Sequence, residues 1–183
     1  MDLDTIADGL RRITVEVTST GTVMGAGVVW APGWIVTNAH VIRHRRVAVR
    51  LADGRRADGL VVAGDREADL ALLRVPDVSV PVAMPAESDM LRVGSLIIAI
   101  GHPFGRRGAL TTGIVHAVGP IVPGGRPWIQ ADLRLAPGNS GGPLADARGH
   151  LLGLNAMIVG SLALAIPVSE VRRFVSAAWL PGA

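Results

Sequence analysis

The chain holds 183 residues, 49% of them hydrophobic, enough to fill a sizeable core in a single unit of common size. It has no Cys, which removes disulfides, and no run of 18 or more apolar residues, which removes a membrane-crossing helix. The formal charge is +3 yet the sequence pI is near 11.1, because all 18 basic residues are Arg and neither Lys nor Tyr occurs; with those arginines scattered and aromatics at 3%, the balance describes a solvated surface and not a nucleic-acid footprint.

In chain order, Leu3, Ile6, Ala7 and Leu10 recur at helical spacing and predict a short amphipathic helix. The acidic start, Met1 to Thr5, lacks a basic stretch followed by an apolar one, so the chain reads as cytoplasmic. A chain relieved of its leader would look the same and would work in the periplasm or be secreted. Short runs at Val28–Trp30, Val47–Leu51, Leu70–Val75, Leu96–Ile100 and Leu151–Leu154, bounded by Gly or Pro, read as strands. Pro and small residues gather between Pro81 and Asp89 and read as a connection. Ser169 reads as the cap of a final helix over about 169–180, with Val171, Val175, Ala178 and Trp179 on one face and Pro181-Gly182 as its stop.

Chemistry concentrates in three places. Residues 137 to 144 read Pro-Gly-Asn-Ser-Gly-Gly-Pro-Leu, in which Ser140 sits among glycines that let backbone N–H groups turn toward one point. A serine hydroxyl is a weak nucleophile until a base takes its proton, so the motif calls for a His and an orienting carboxylate. His40 follows the apolar run Ile35-Val-Thr37, and Asp69 heads the run Leu70-Ala-Leu-Leu73. Asp65 competes for the carboxylate role but reads as a turn residue. The order His, Asp, Ser separates this pattern from the α/β-hydrolases and the subtilisins. The five histidines show no close ligand spacing, so no metal is expected, and the chemistry needs no cofactor.

Thr37–Val41, Asp69–Leu73 and Gly138–Leu144 together resemble the trypsin-like serine proteases of the HtrA (Deg) family. Gly25-Ala-Gly27 resembles that family's first-barrel glycine turn, Ala99–Gly105 its second-barrel entry, and Leu152–Ala156 with Ala165–Pro167 its pocket strands. The resemblance implies an all-β, chymotrypsin-like fold: two six-stranded antiparallel β-barrels with short terminal helices, the first over about 13–85 and the second over about 90–167, making a single protease domain across 1–183. It further implies a His40–Asp69–Ser140 triad, an oxyanion hole from the Gly138 and Ser140 amides, and a serine endopeptidase acting on exposed or unfolded polypeptide. The peptide would pair as an added strand beside Asn155, Ala156 and Met157.

Other features of the family are not matched. Too little chain follows Pro167 for a PDZ module, and the aromatics that commonly knit the family's trimers are absent before Trp30, which leaves a homo-oligomer or a regulatory partner protein open. Six residues before the serine, at the expected base of the S1 pocket, stands Arg134, which would favour an acidic P1 side chain. If Arg134 turns aside, a pocket walled by Ala156, Leu162 and Leu164 would take small aliphatic residues. Two other readings stay open: a non-catalytic peptide-binding or chaperone-like module, and a latent protease whose Gly101–Gly108 and Pro120–Arg126 stretches await a partner.

Overall fold

The computed structural model describes residues 2–19, 22–76, 79–87 and 91–178. A first helix, α1 (Leu3–Ile13), leads into β1 (Thr14–Ser19), β2 (Thr22–Ala31), β3 (Trp34–Thr37), β4 (Arg46–Arg50), β5 (Arg56–Asp65) and β6 (Leu70–Arg74). A second set follows: β7 (Leu96–Gly101), β8 (Ala109–Pro120), β9 (Pro127–Asp132), β10 (Pro143–Asp146), β11 (Leu151–Val159) and β12 (Leu162–Pro167), then α2 (Val168–Ala178). Each set closes into an antiparallel barrel, one ordered β1-β2-β3-β6-β5-β4 and the other β7-β8-β9-β12-β11-β10. The implied two-barrel fold is therefore present, and the two barrels repeat one topology.

Closure explains the strands that read as unbroken apolar runs. Side chains alternate faces along a strand, so a run buried throughout needs cover on both sides. In β6, Leu73 fills the first barrel while Leu70 and Leu72 pack outward between the barrels. In β7, Ile97 and Ala99 fill the second barrel while Ile98 and Ile100 face the same shared core. That shared core also takes Ile6, Leu10 and Ile13 of α1 and Val171 and Val175 of α2, so both helices act as clasps over the seam. Burying a leucine there is worth about 2 kcal/mol, which is why the seam is rigid enough to carry a site.

The predicted helices need small corrections. Asp2 caps α1, its carboxylate accepting the Thr5 N–H at 2.9 Å, and Leu3 lies exposed because the buried face begins at Ile6. Ser169 is not a cap: α2 starts at Val168, directly from the last strand, so Ser169 lies inside the first turn. Ala178 is exposed, and Trp179, Pro181 and Gly182 lie outside the described residues. Gly25 and Gly27 occupy the middle of β2 and no turn, with Gly25 against the Ser140 carbonyl, where a Cβ would approach to 2.8 Å. No described helix is long and apolar enough to cross a membrane.

Candidate active site

His40 stands on a single helical turn (Ala39–Val41) in the β3–β4 connection, and Ser140 stands in the β9–β10 connection of the other barrel. The two connections occupy equivalent places in the repeated topology. They meet because the serine turn docks across the seam, where the Ala26 N–H of β2 donates to the Ser140 carbonyl at 2.7 Å.

Asp69 ends the β5–β6 turn. Asp65 builds that turn, its carboxylate accepting the Glu67 and Ala68 N–H groups at 2.9 and 2.8 Å, which is the turn role read from the sequence. Asp69 itself holds φ of 55°, a left-handed conformation costly for a residue with a Cβ and found where surroundings over-determine it. Those surroundings are explicit. Asn38 donates its side-chain N–H to the Asp69 carbonyl at 3.0 Å, and the His40 backbone N–H donates to Asp69 Oδ1 at 3.0 Å. The carboxylate then faces His40 Nδ1, with Oδ2 at 2.8 Å and Oδ1 at 3.0 Å. Asp69 is buried and the imidazole is about half exposed, so the ring is gripped at Nδ1 and open at its other nitrogen.

Ser140 completes the group in place but not in hydrogen bonding. Its hydroxyl donates to the Ala156 carbonyl at 2.9 Å, and no bond to His40 is made in this structure. His40 and Ser140 line the same cavity. The Gly138 and Ser140 amides donate no backbone hydrogen bond among the described residues, although the neighbouring Asn139, Gly141 and Gly142 amides all do. Two unused donors beside one hydroxyl are what an oxyanion hole requires.

Gly138 achieves this at φ of 105°, with its carbonyl accepting the His102 N–H at 3.0 Å. A Cβ there would run into the His102 carbonyl. The 102–105 loop thus backs the serine turn, and Phe104 N–H adds a bond to the Pro137 carbonyl at 3.0 Å. Neither partner is visible in the sequence.

Two cavities open on either side of His40. One, of 330 Å³, is lined by Ser140, Gly138, Leu135, Ala136, Ala156, Met157, Ile158 and Met24. The other, of 590 Å³, runs past Asp69 to Arg66, Arg126 and Trp128. Arg126 lies over the Trp128 ring at 3.8 Å and donates to the Glu67 carbonyl at 2.9 Å. Burial lowers its pKa from the ordinary guanidinium value and nearby Asp69 opposes that, so it stays charged.

The expected specificity residues fare unequally. Ala156 and Met157 line both cavities. Arg134 is exposed, contributes to neither, and forms no ion pair with Asp132 among the described residues, while Leu135, one residue later, lines the first cavity. Leu164 is buried in the shared core and Leu162 pairs with Val159 at the far end of β12, so neither reaches the cavity. Asn155 is buried, and its N–H and carbonyl are both engaged, with the Gly142 carbonyl and the Gly141 amide, so it supports the serine turn. Leu135, Ala136, Met24, Ile158 and Arg126 were missed.

Two closed barrels with a His–Asp pair and a serine turn across the seam define a trypsin-like architecture. A sequence model of the "Trypsin-like peptidase domain" matches residues 25–154, and the chain belongs to that family. It is 38% identical over 166 residues to the periplasmic serine endoprotease DegP of Salmonella typhimurium, covering 84% of this chain and 35% of that protein. It is 39% identical over 151 residues to a probable periplasmic serine endoprotease, DegP-like, of Hahella chejuensis, covering 81% and 32%. The chain thus spans about a third of the length of these curated relatives. Among solved structures, the HtrA-type protease AlgW with a decapeptide superposes with a TM-score of 0.87 at 27% identity, over 96% of this chain and 67% of that one. A serine-to-alanine variant of AlgW with a tripeptide gives 0.91 at 29%, over 100% and 65%. The relatives are named periplasmic, and the cytoplasmic expectation finds no support in them.

Proposed function

We propose that the chain is a serine endopeptidase that cuts exposed or unfolded polypeptide with Ser140 as nucleophile, His40 as general base and then acid, and Asp69 as orienter. The observation that carries this is the gripped His40–Asp69 pair, 2.8 Å apart, opening on a cavity that also holds the Ser140 hydroxyl and two unused amides. The names of the relatives and the peptides in the AlgW structures support the same reading and favour a site of action in the periplasm or outside the cell.

In this mechanism the Ser140 hydroxyl leaves the Ala156 carbonyl and attacks the peptide carbonyl carbon as His40 Nε2 takes its proton. The carbonyl oxygen becomes the oxyanion and accepts from the Gly138 and Ser140 N–H groups. Asp69 holds the Nδ1 proton and stabilises the imidazolium. His40 then protonates the leaving amine, the C–N bond breaks, and water repeats the sequence on the acyl-enzyme. The apolar walls Leu135, Ala136 and Ile158 suit a small to medium aliphatic P1 side chain. The peptide backbone pairs beside Ala156 and Met157, and its preceding residues fall toward the second cavity and Arg126.

Digestion of a proteome-derived peptide library by the unaltered chain and by Ser140→Ala, with new termini read by mass spectrometry, tests this. Cleavage that needs Ser140 and follows Val, Ala or Leu is expected; cleavage by both proteins, or by neither, removes the proposal in favour of a binding module. The Ser140 rotamer also supports a latent form that a substrate or partner must turn. A fluorophosphonate that labels Ser140 only once a cleavable peptide is added would identify it.

A further inference from the structure

Away from the catalytic cleft, two adjoining cavities of 240 and 260 Å³ lie where the first barrel meets the 102–108 loop, and they share Glu16, Arg50 and Arg107 as walls. Arg56 lines one and Arg11 and His102 line the other. Four guanidiniums therefore surround one buried carboxylate. Arg11 is already engaged, with Asp8 at 2.8 Å and the Gly108 carbonyl at 2.9 Å. Arg50 stands 3.7 Å from Glu16, too far for a hydrogen bond. Arg56 and Arg107 have no carboxylate partner among the described residues, which leaves two positive charges uncompensated.

The wall also carries two buried donors that make no well-formed hydrogen bond: Arg50 Nε, whose facing Glu16 oxygen stands 3.7 Å away, and His102 Nε2, near the Val15 carbonyl. The histidine's state follows from its other nitrogen. Gly108 N–H donates to His102 Nδ1 at 3.2 Å, so in the neutral ring the proton sits on Nε2. Poorly satisfied buried donors are uncommon in folded proteins, and two in one arginine-lined wall leave capacity for an anion's oxygens. Guanidinium forks match such oxygens pairwise, and two spare positive charges match a dianion better than a single carboxylate.

We propose that this cavity binds a phosphate-class oxyanion, as inorganic phosphate or a small phosphate ester, which ties the 102–108 loop to the first barrel and so steadies the Gly138 turn. The connection is physical. Arg107 reaches the cavity from the same loop whose His102 and Phe104 amides hold the Gly138 and Pro137 carbonyls. An anion drawing Arg107 toward Arg50 and Arg56 would restrict that loop. The stiffening bears on catalysis only through the peptidase reading above; the binding does not depend on it.

Calorimetric titration of the full chain at low salt with inorganic phosphate, glycerol phosphate and succinate tests the binding. Arg56 and Arg107 are exposed, so Arg56→Ala and Arg107→Ala leave folding intact; each is expected to weaken either phosphate compound roughly tenfold, while Arg148→Ala, at a residue that lines neither cavity, changes nothing. No phosphate binding at millimolar concentration, equal loss in Arg148→Ala, or tighter binding of succinate would overturn the assignment. Amide exchange tests the coupling: phosphate should slow the His102 and Phe104 amides in the unaltered chain and in Ser140→Ala, and not in Arg107→Ala. Binding without that slowing would refute the coupling, and the inactive serine variant separates both results from any failure of the peptidase.

Discussion

The two barrels share a strand order, and in each the connection from the third strand to the fourth enters the catalytic cleft, yet the chemistry placed there differs. In the first barrel that connection is a compact turn holding His40, locked by Asp69 from the neighbouring β5–β6 turn. In the second it is a glycine-rich stretch around Ser140 in which only the Gly138 and Ser140 amides, of those from 138 to 142, donate no backbone bond among the described residues, and which is tied to β2, β11 and the 102–105 loop. His40 is thus held within its own barrel, whereas the stretch around Ser140 is held by both barrels, and its hydroxyl donates to the Ala156 carbonyl.

The largest effect should come from removing either half of this pair. Ser140→Ala and His40→Ala are each expected to lower kcat on the order of a millionfold with little change in unfolding midpoint, and the double variant should be no worse than either alone. Additive losses would break the idea that the two connections act as one unit. Next in size is Gly138→Ala, whose Cβ would meet the His102 carbonyl and turn the amide away; a loss of about 100- to 1000-fold in kcat with near-normal KM is expected. A smaller change should follow Leu135→Ala, which enlarges the S1 cavity and shifts P1 preference toward longer side chains by roughly tenfold, while Arg134→Ala leaves the profile unchanged.

The smallest effect concerns stability. Burial, the main cause, lowers the His102 pKa below its ordinary 6.5, with Arg107 adding to it and the Val15 carbonyl and Glu16 opposing. The unfolded chain therefore binds this proton first. Its contribution is present above pH 6.5 and is lost as the pH falls through the lower folded value. Urea unfolding from pH 7.5 down to about 5 should show the loss, and His102→Gln should flatten that part of the curve. An unchanged slope would show that the loop supporting Gly138 has no such weak point.

Much of this was legible in the sequence because it depends on local order and period. The apolar runs at Leu70 and Leu96, the helical spacing of Ile6, Ala7 and Leu10, the glycines about Ser140 and the His, Asp, Ser order are all short-range patterns. Asp65 could be set aside as a turn residue because carboxylates cap turns two and three residues on. Distance from the serine alone does not say which side chain of an extended segment faces a cavity, so the place of Leu135 beside Arg134 could not be read, nor that Asn155, Leu162 and Leu164 stand outside the two cavities beside His40.

By itself, then, the sequence carried the β-rich runs and the His, Asp, Ser order, and through its resemblance to a known family the two-barrel class, because hydrophobic period and motif order are properties of neighbours along the chain. Tertiary structure alone decided that Leu135 and not Arg134 lines the cavity beside Ser140, that His102 holds the Gly138 turn, and that Arg50, Arg56 and Arg107 converge beside buried Glu16. Each of those depends on segments far apart in sequence meeting across the barrel seam, and only closure of both barrels brings them within reach.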